Sequence, residues 1–260
     1  MKIVVCVKHV PDATADRTFT EDGTTDRDSV DSLLSELDEY AVEQALRIGE
    51  SGPDDAEITY LTVGPDDAKD ALRKALAMGG DSALHIDDED IRGSDAFGTS
   101  LVLAKAIERH GFDLVVCGMA STDGGMGVLP AMLAERLGVP AVTHLDEVTV
   151  AEGSVSGRRE GETASVRVHS ALPAVVSVTD RCGDARYPSF KGIMAAKKKP
   201  LESLDLSGLG IEPEQVGRSA ARSAVDRAVK RPPRTQGEIV ADEGAGGSGL
   251  AVFLTAKKFI

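Results

Sequence analysis

The feature that most constrains this chain is an alternation repeated through its first half: short β-branched runs, each followed by residues with helical spacing. The runs are Lys2 to Lys8, Glu57 to Val63, Ser82 to Ile86 and Leu114 to Cys117. Between them lies a helix opened by Ser35 or Asp38 and reaching about Glu50, with Tyr40, Ala41, Ala45 and Ile48 on one face. A second starts at Gly64-Pro65-Asp66-Asp67, where proline and acids suit a first helical turn, and ends at Met78-Gly79-Gly80. A third runs from Asp95 to about Arg109 and is closed by His110-Gly111. A strand followed by a helix must cross over before the next strand pairs with it, so neighbouring strands run parallel. The pattern predicts an α/β fold with a Rossmann-like, doubly wound, mostly parallel sheet. Aromatic residues are 3% of the chain and Trp is absent, which leaves Val, Leu, Ile and Ala to fill that sheet.

The pattern changes after Pro140. Glu147 to Ala151, Ser154 to Arg159 and Thr163 to His169 are short runs broken by Gly153 and Gly161, and read as antiparallel hairpins. Ala174 to Val178 is a last β-branched strand. Beyond it the chain turns polar, and Pro213 to Gly249 is rich in charge, Pro and Gly without an apolar period. This predicts an extended C-terminal arm ordered by lying on a partner, with a terminal helix in Leu250 to Ile260. Pro11 to Val30 reads as a long polar loop, a length uncommon in a compact domain unless it binds something.

Charge and cysteine usage exclude several function classes. The net charge of −14 argues against nucleic acid as a partner, because phosphate backbones are held by clustered cations. No apolar run reaches the length of a membrane-spanning helix, and the N-terminus reads as a strand; no membrane insertion and a cytoplasmic location are expected. Cys6, Cys117 and Cys182 form no CxxC pair, so neither a zinc nor an iron–sulfur site is indicated. Cys6 and Cys117 read as buried small hydrophobes, while Cys182 lies in a polar loop. The histidines show no metal-ligand spacing, and no nucleophile–base or paired-carboxylate constellation is evident.

Two segments carry candidate chemistry. In the first, strand Leu114 to Cys117 runs into the loop Gly118-Met119-Ala120-Ser121-Thr122-Asp123-Gly124-Gly125-Met126-Gly127 and then a helix from about Val128 to Leu137. Glycines let a backbone approach a phosphate, and Ser121 and Thr122 offer hydroxyls. The loop matches neither the P-loop nor the dinucleotide fingerprint, so its pattern leaves a nucleotide cradle and a plain glycine turn equally open. Lys8 leaves the first strand at the same predicted sheet edge, where it reads as a phosphate or partner contact or as a solvated strand end; His9 reads as structural. In the second segment, Arg186, Tyr187, Phe190, Ile193 and Met194 precede the run Lys197-Lys198-Lys199. Apolar side chains in such a stretch either anchor a partner or tuck back onto the sheet.

Several stretches together resemble the β subunit of electron transfer flavoproteins, and the likeness runs nearly end to end. They are Cys6-Val7-Lys8-His9-Val10-Pro11-Asp12, Leu37 to Arg47, Arg73 to Asp81, Arg158 to Gly161 with Leu172 to Val178, and Arg186 to Lys199. The resemblance implies residues 1–180 as an adenine-nucleotide-binding α/β domain. Residues 181–260 would be a recognition loop and an arm on an α subunit. It implies an electron carrier rather than an enzyme, with FAD shared with the α subunit and AMP, or a second FAD, on this chain. Nucleotide contacts would fall on Cys6, Ser35, Val63 and the loop from Gly118 to Met126, with Asp123 at the family's aspartate. Arg186, Tyr187, Phe190, Ile193, Met194, Lys197 and Lys198 would meet acyl-CoA dehydrogenase-type electron donors, and a membrane quinone reductase or another acceptor would take the electrons. Ser35 stands where the family usually has Asn, and Gly124-Gly125-Met126-Gly127-Val128-Leu129-Pro130 lacks the Thr and Gln often found there. The competing class is a stand-alone ATP- or AMP-binding regulator of universal-stress type, which would have no use for the arm.

Overall fold

The computed structural model describes residues 1–51, 56–151, 153–237, 239 and 241–260. Residues 238 and 240, within the polar arm expected from Pro213 to Gly249, lie outside the described residues. Strands are β1 (Lys2–Cys6), β2 (His9–Pro11), β3 (Ser32–Leu34), β4 (Glu57–Val63), β5 (Ser82–Ile86) and β6 (Leu114–Gly118). They continue with β7 (Ala141–Leu145), β8 (Glu147–Ala151), β9 (Ser154–Glu160), β10 (Ser165–Ala171), β11 (Ala174–Val178) and β12 (Leu201–Leu204). Helices are α1 (Glu36–Ser51), α2 (Lys69–Met78), α3 (Ala96–His110), α4 (Leu129–Leu137), α5 (Phe190–Ala196), α6 (Leu206–Leu209), α7 (Gly217–Ala220) and α8 (Gly246–Ala256).

Seven strands form one sheet in the order β12-β5-β4-β1-β6-β11-β7, and its neighbouring pairs are all parallel. Alternation along β1 shows why. Ile3 and Val5 face the layer built by Ala41, Ala45, Leu72 and Leu76 of α1 and α2. Val4 and Cys6 face Val102, Ile107 and Leu133 of α3 and α4. With both faces covered, the strands are built mostly of apolar residues, and each buried Val or Leu contributes about 1.5–3 kcal/mol. Strands β8, β9 and β10 form the expected antiparallel hairpins.

Four of the strands were not foreseen. The Lys2–Lys8 run breaks after Cys6, and His9–Pro11 instead pairs antiparallel with Ser32–Leu34, closing the long loop at its base. Ala141–Leu145 joins the sheet as an edge strand, with His144 in the left-handed region at φ 59° where the ladder with β11 shifts register. Leu201–Leu204 adds the other edge beside β5. Edge strands bury few side chains, which is why neither carried a strand signal in the sequence.

The chain divides into two compact units, Met1–Asp226 and Arg227–Ile260. The first unit continues past residue 180. Beyond β12, Leu206, Leu209, Ile211 and Val216 are buried in the layer that includes α3. In the second unit, α8 starts earlier than expected because Asp242 accepts hydrogen bonds from the backbone N–H of Gly244 and Gly246, both at 2.8 Å. Its Leu250, Val252 and Phe253 are exposed. No described helix is long and apolar enough to cross a membrane.

Candidate functional site

Crossovers from β1 to β4 and from β4 to β5 use α1 and α2 on one face, whereas the return to β6 uses α3 on the other. Sheet order reverses at β1 and β6, and the crevice outside the carboxyl ends at such a reversal is where open α/β sheets take ligands. Cys6, Val63 and Gly118 end β1, β4 and β6 at this edge. Ser35 joins them, its backbone N–H donating to the Lys8 carbonyl at 2.9 Å.

A buried carboxylate ties the two central strand ends together. Asp38, in the first turn of α1, accepts from the Lys8 backbone N–H at 2.9 Å and from that of Gly118. Burial pushes its pKa up to about 7; the two backbone donors and the Lys8 charge work against that rise, and the Asp123 charge adds to it. Gly118 is required by this approach: a Cβ there would sit 2.5 Å from Asp38 Oδ1 and 2.8 Å from the Leu37 carbonyl oxygen.

Above this floor, Asp123 gathers two cations. Lys8 Nζ lies 2.9 Å and Arg27 Nη2 2.5 Å from Asp123 Oδ2, and the Gly124 N–H donates to Oδ1 at 2.7 Å. The Asp123 side chain is 1% exposed, but Lys8 and Arg27 are 43% and 46% exposed. Burial pushes the Asp123 pKa up. The Lys8 charge, the Ser121 hydroxyl and Arg27 outweigh it and hold the carboxyl well below the usual range. Arg17 donates to the Thr122 carbonyl at 2.8 Å. The loop turns at Gly125 and Gly127, both at positive φ, with the Gly125 N–H on the Ser121 carbonyl at 3.0 Å.

These residues fit an anionic ligand on the loop side, where half-buried Met119, Ala120, Ser121 and Thr122 lead into exposed Gly124, Gly125 and Met126 beside the two cations. Cys6 and Ser35 form the floor and are buried. The Ser35 hydroxyl has no hydrogen-bond partner among the described residues, an unsatisfied group whose cost is about 1–3 kcal/mol. Sequence reasoning weighed Lys8 but missed Asp38, Arg17 and Arg27. Asp38 looked like an ordinary first-turn acid, and nothing local marks two arginines in a polar loop as returning to a glycine loop a hundred residues on.

The second predicted cluster divides. Arg186 is held by the protein itself: its Nε is 2.7 Å from Glu43 Oε2 and its Nη1 2.5 Å from Glu50 Oε1, pinning the segment to α1. Tyr187 and Phe190 are 95% and 81% exposed, and Ile193 and Met194 are exposed on α5 beside them. Lys197 and Lys198 are exposed, whereas Lys199 turns inward and donates to the Leu76 and Gly79 carbonyls at the end of α2. Ser189 caps α5, and Arg73 binds the Ala196 and Lys199 carbonyls at its other end. Among the described residues no cluster has the makings of a metal site.

Comparison with known proteins gives the family. The profile of the electron transfer flavoprotein domain family matches residues 22–209. "Electron transfer flavoprotein subunit beta" of Mycobacterium bovis is 44% identical over 263 residues, covering 99% of each chain. The subunit of that name from Megasphaera elsdenii is 31% identical, covering 92% of this chain and 91% of its own. "Caffeyl-CoA reductase-Etf complex subunit CarD" of Acetobacterium woodii is 32% identical over 92% of each.

Proposed function

The chain belongs to the electron transfer flavoprotein β-subunit family, and on that premise we propose that it works as one half of a heterodimeric electron carrier, holding an adenine nucleotide at the β1/β6 crevice. The observation that carries the nucleotide reading is the convergence of Lys8 and Arg27 on buried Asp123 beside a glycine loop, at the reversal point of a parallel sheet. AMP is the ligand favoured, with a second FAD as the alternative. On this reading the nucleotide stabilises the folded chain by binding it and does not react.

FAD, held mostly by an α subunit, supplies the redox chemistry when bound. This chain contributes position: α5 and the segment before it present Tyr187, Phe190, Ile193 and Met194 with Lys197 and Lys198 at the rim, a surface suited to docking electron donors of acyl-CoA dehydrogenase type. A quinone reductase is the acceptor proposed, and the cytoplasm the location. The stand-alone regulator is not favoured, because the family match extends through β12 and α6.

The test is co-expression with a candidate α subunit, followed by denaturation and identification of the released cofactors. A yellow heterodimer releasing FAD and about one AMP per β chain supports the reading. A colourless homodimer that retains ATP overturns it.

A further inference from the structure

The nucleotide loop is unusual in what it lacks. Gly124-Gly125-Met126-Gly127-Val128-Leu129-Pro130 carries no hydroxyl, amide or charged side chain. The helix that follows does not make good the deficit. Val128 at the N-cap of α4 makes no side-chain hydrogen bond, and Pro130 removes a backbone N–H from the first turn. On that side the stretch from Gly124 to Pro130 offers a phosphate only backbone, and the side-chain donors of the loop are confined to Ser121 and Thr122.

The opposite wall carries the charge. Residues 12–31 are a built hairpin rather than a slack loop. The Asp26 N–H donates to the Thr18 carbonyl at 3.0 Å, the Thr20 N–H donates to the Thr24 carbonyl at 2.9 Å, and Phe19 bridges Thr25. The base is the β2–β3 ladder, and Asp22 near the tip is held by Arg218 at 2.7 Å. Arg17 and Arg27 therefore sit across from each other on its two legs, and both reach the glycine loop, at the Thr122 carbonyl and the Asp123 carboxylate. Asp123 receives two cations and can neutralise one. A guanidinium has five N–H groups in a planar fork that matches phosphate oxygens.

We propose that Arg17 and Arg27, one from each leg of this hairpin, form with Lys8 the phosphate-recognising wall of the site, in place of the side chains missing from the glycine loop. The inference rests on the nucleotide reading above and adds which residues read the phosphate. The hairpin thus decides that the ligand is a phosphorylated nucleotide rather than a nucleoside, and recognition is electrostatic.

The experiment measures binding of AMP and of adenosine to the heterodimer of the full chain with its α subunit, freed of endogenous nucleotide, at low and high salt. The wild type is expected to bind AMP more tightly than adenosine, with only the AMP affinity falling as salt rises. Arg27→Ala and Arg17→Ala are each expected to weaken AMP by about 10-fold or more while adenosine stays within about 2-fold, the loss typical of one charged hydrogen bond. Arg27→Lys should recover part of the AMP affinity. AMP binding unchanged in both alanine variants, or AMP and adenosine affinities lost in parallel, overturns the proposal. So does salt-insensitive AMP binding by the wild type, which decides the matter even if a variant fails to fold. A wild type that binds neither ligand overturns the nucleotide reading along with it, whereas tight AMP binding indifferent to both arginines overturns this inference alone.

Discussion

Lys8 Nζ and Asp123 Oδ2 lie 2.9 Å apart across the β1/β6 crevice, joining residues 115 positions apart in the chain. The pair closes the site from both walls, with the carboxylate buried and the ammonium half in solvent. A pair of this kind orients a cation without fully neutralising the surroundings, since Arg27 brings a second positive charge to the same oxygen.

Asp123→Ala removes the group on which both cations converge. Nucleotide recovered from the denatured heterodimer should fall by roughly 2- to 10-fold, because Lys8 and Arg27 lose the carboxylate that orients them and their hydrogen bonds to the ligand weaken. Quantifying released nucleotide by chromatography checks this, and recovery equal to the wild type would count against the site.

Asp38 makes the site sensitive to pH. Its folded pKa of about 7 lies above the 3.8 expected unfolded, so between these values the folded chain binds more protons than the unfolded one. Its contribution to stability therefore falls as pH rises from about 4 to about 7, by at most about 1.4 kcal/mol per pH unit, and stays low above that. Asp123 has the opposite sign: its lowered pKa stabilises above 3.8 and is lost only as the medium becomes more acidic. Relative to Asp38→Asn, the wild type should be more stable at pH 5 than at pH 8. Urea unfolding at both values tests this, and a pH-independent difference would show that Asp38 does not titrate there.

Gly118→Ala should cost about 1–3 kcal/mol, because the new Cβ meets a pinned carboxylate and a backbone carbonyl rather than a flexible chain end. Gly125→Ala has open space around it, so its cost is only that of a left-handed backbone at φ 62°, about 1 kcal/mol. Comparing the two midpoints of denaturation checks the order; a Gly125 variant worse than the Gly118 variant would contradict it.

Arg186 and Phe190, four residues apart, should separate stability from docking. Arg186→Ala leaves buried Glu43 paired with Arg47 alone and should lower stability by about 1–3 kcal/mol, the loss of charged hydrogen bonds rather than of a whole buried pair. Phe190→Ala removes an exposed ring and should leave stability within about 0.5 kcal/mol. Reduction of the heterodimer by an acyl-CoA dehydrogenase should nevertheless slow about tenfold or more, as for loss of an interface anchor. Stopped-flow reduction of the flavin reads this, and an unchanged rate would remove α5 from the docking surface.

The place to cut the arm is fixed by burial. Ending the chain after Leu201 would remove most of β12 and the buried Leu206, Leu209, Ile211 and Val216, and should unfold the first unit. Ending it after Asp226 should leave cooperative unfolding intact while abolishing co-purification with the α subunit. Circular dichroism melts with pull-down measure the two effects separately; retained co-purification would show that the second unit does not hold the partner.

What the amino-acid order determined by itself was local and periodic. Runs such as Glu57–Val63 and Ser82–Ile86 are strands at their predicted bounds, because strands buried on both faces read as short, largely apolar and β-rich runs. The helices between them were equally legible, since spacing, caps such as Asp95 and terminal glycines act within a turn or two. The glycine loop was legible as a place where backbone could approach a ligand, though not what would approach it.

Tertiary structure alone decided the rest. Edge strands β7 and β12 carry too little buried surface to show a period, and only their register against β11 and β5 defines them. Whether Arg186 greets a partner or clamps α1 depends on Glu43, far away in the chain. Lys8, Arg17, Arg27, Asp38 and Asp123 become one site only when the crossovers bring β1, α1 and β6 to a common edge. Electrostatic partners act through space over a few ångströms, and the spacing of residues along a chain carries no record of which charges folding will bring that close.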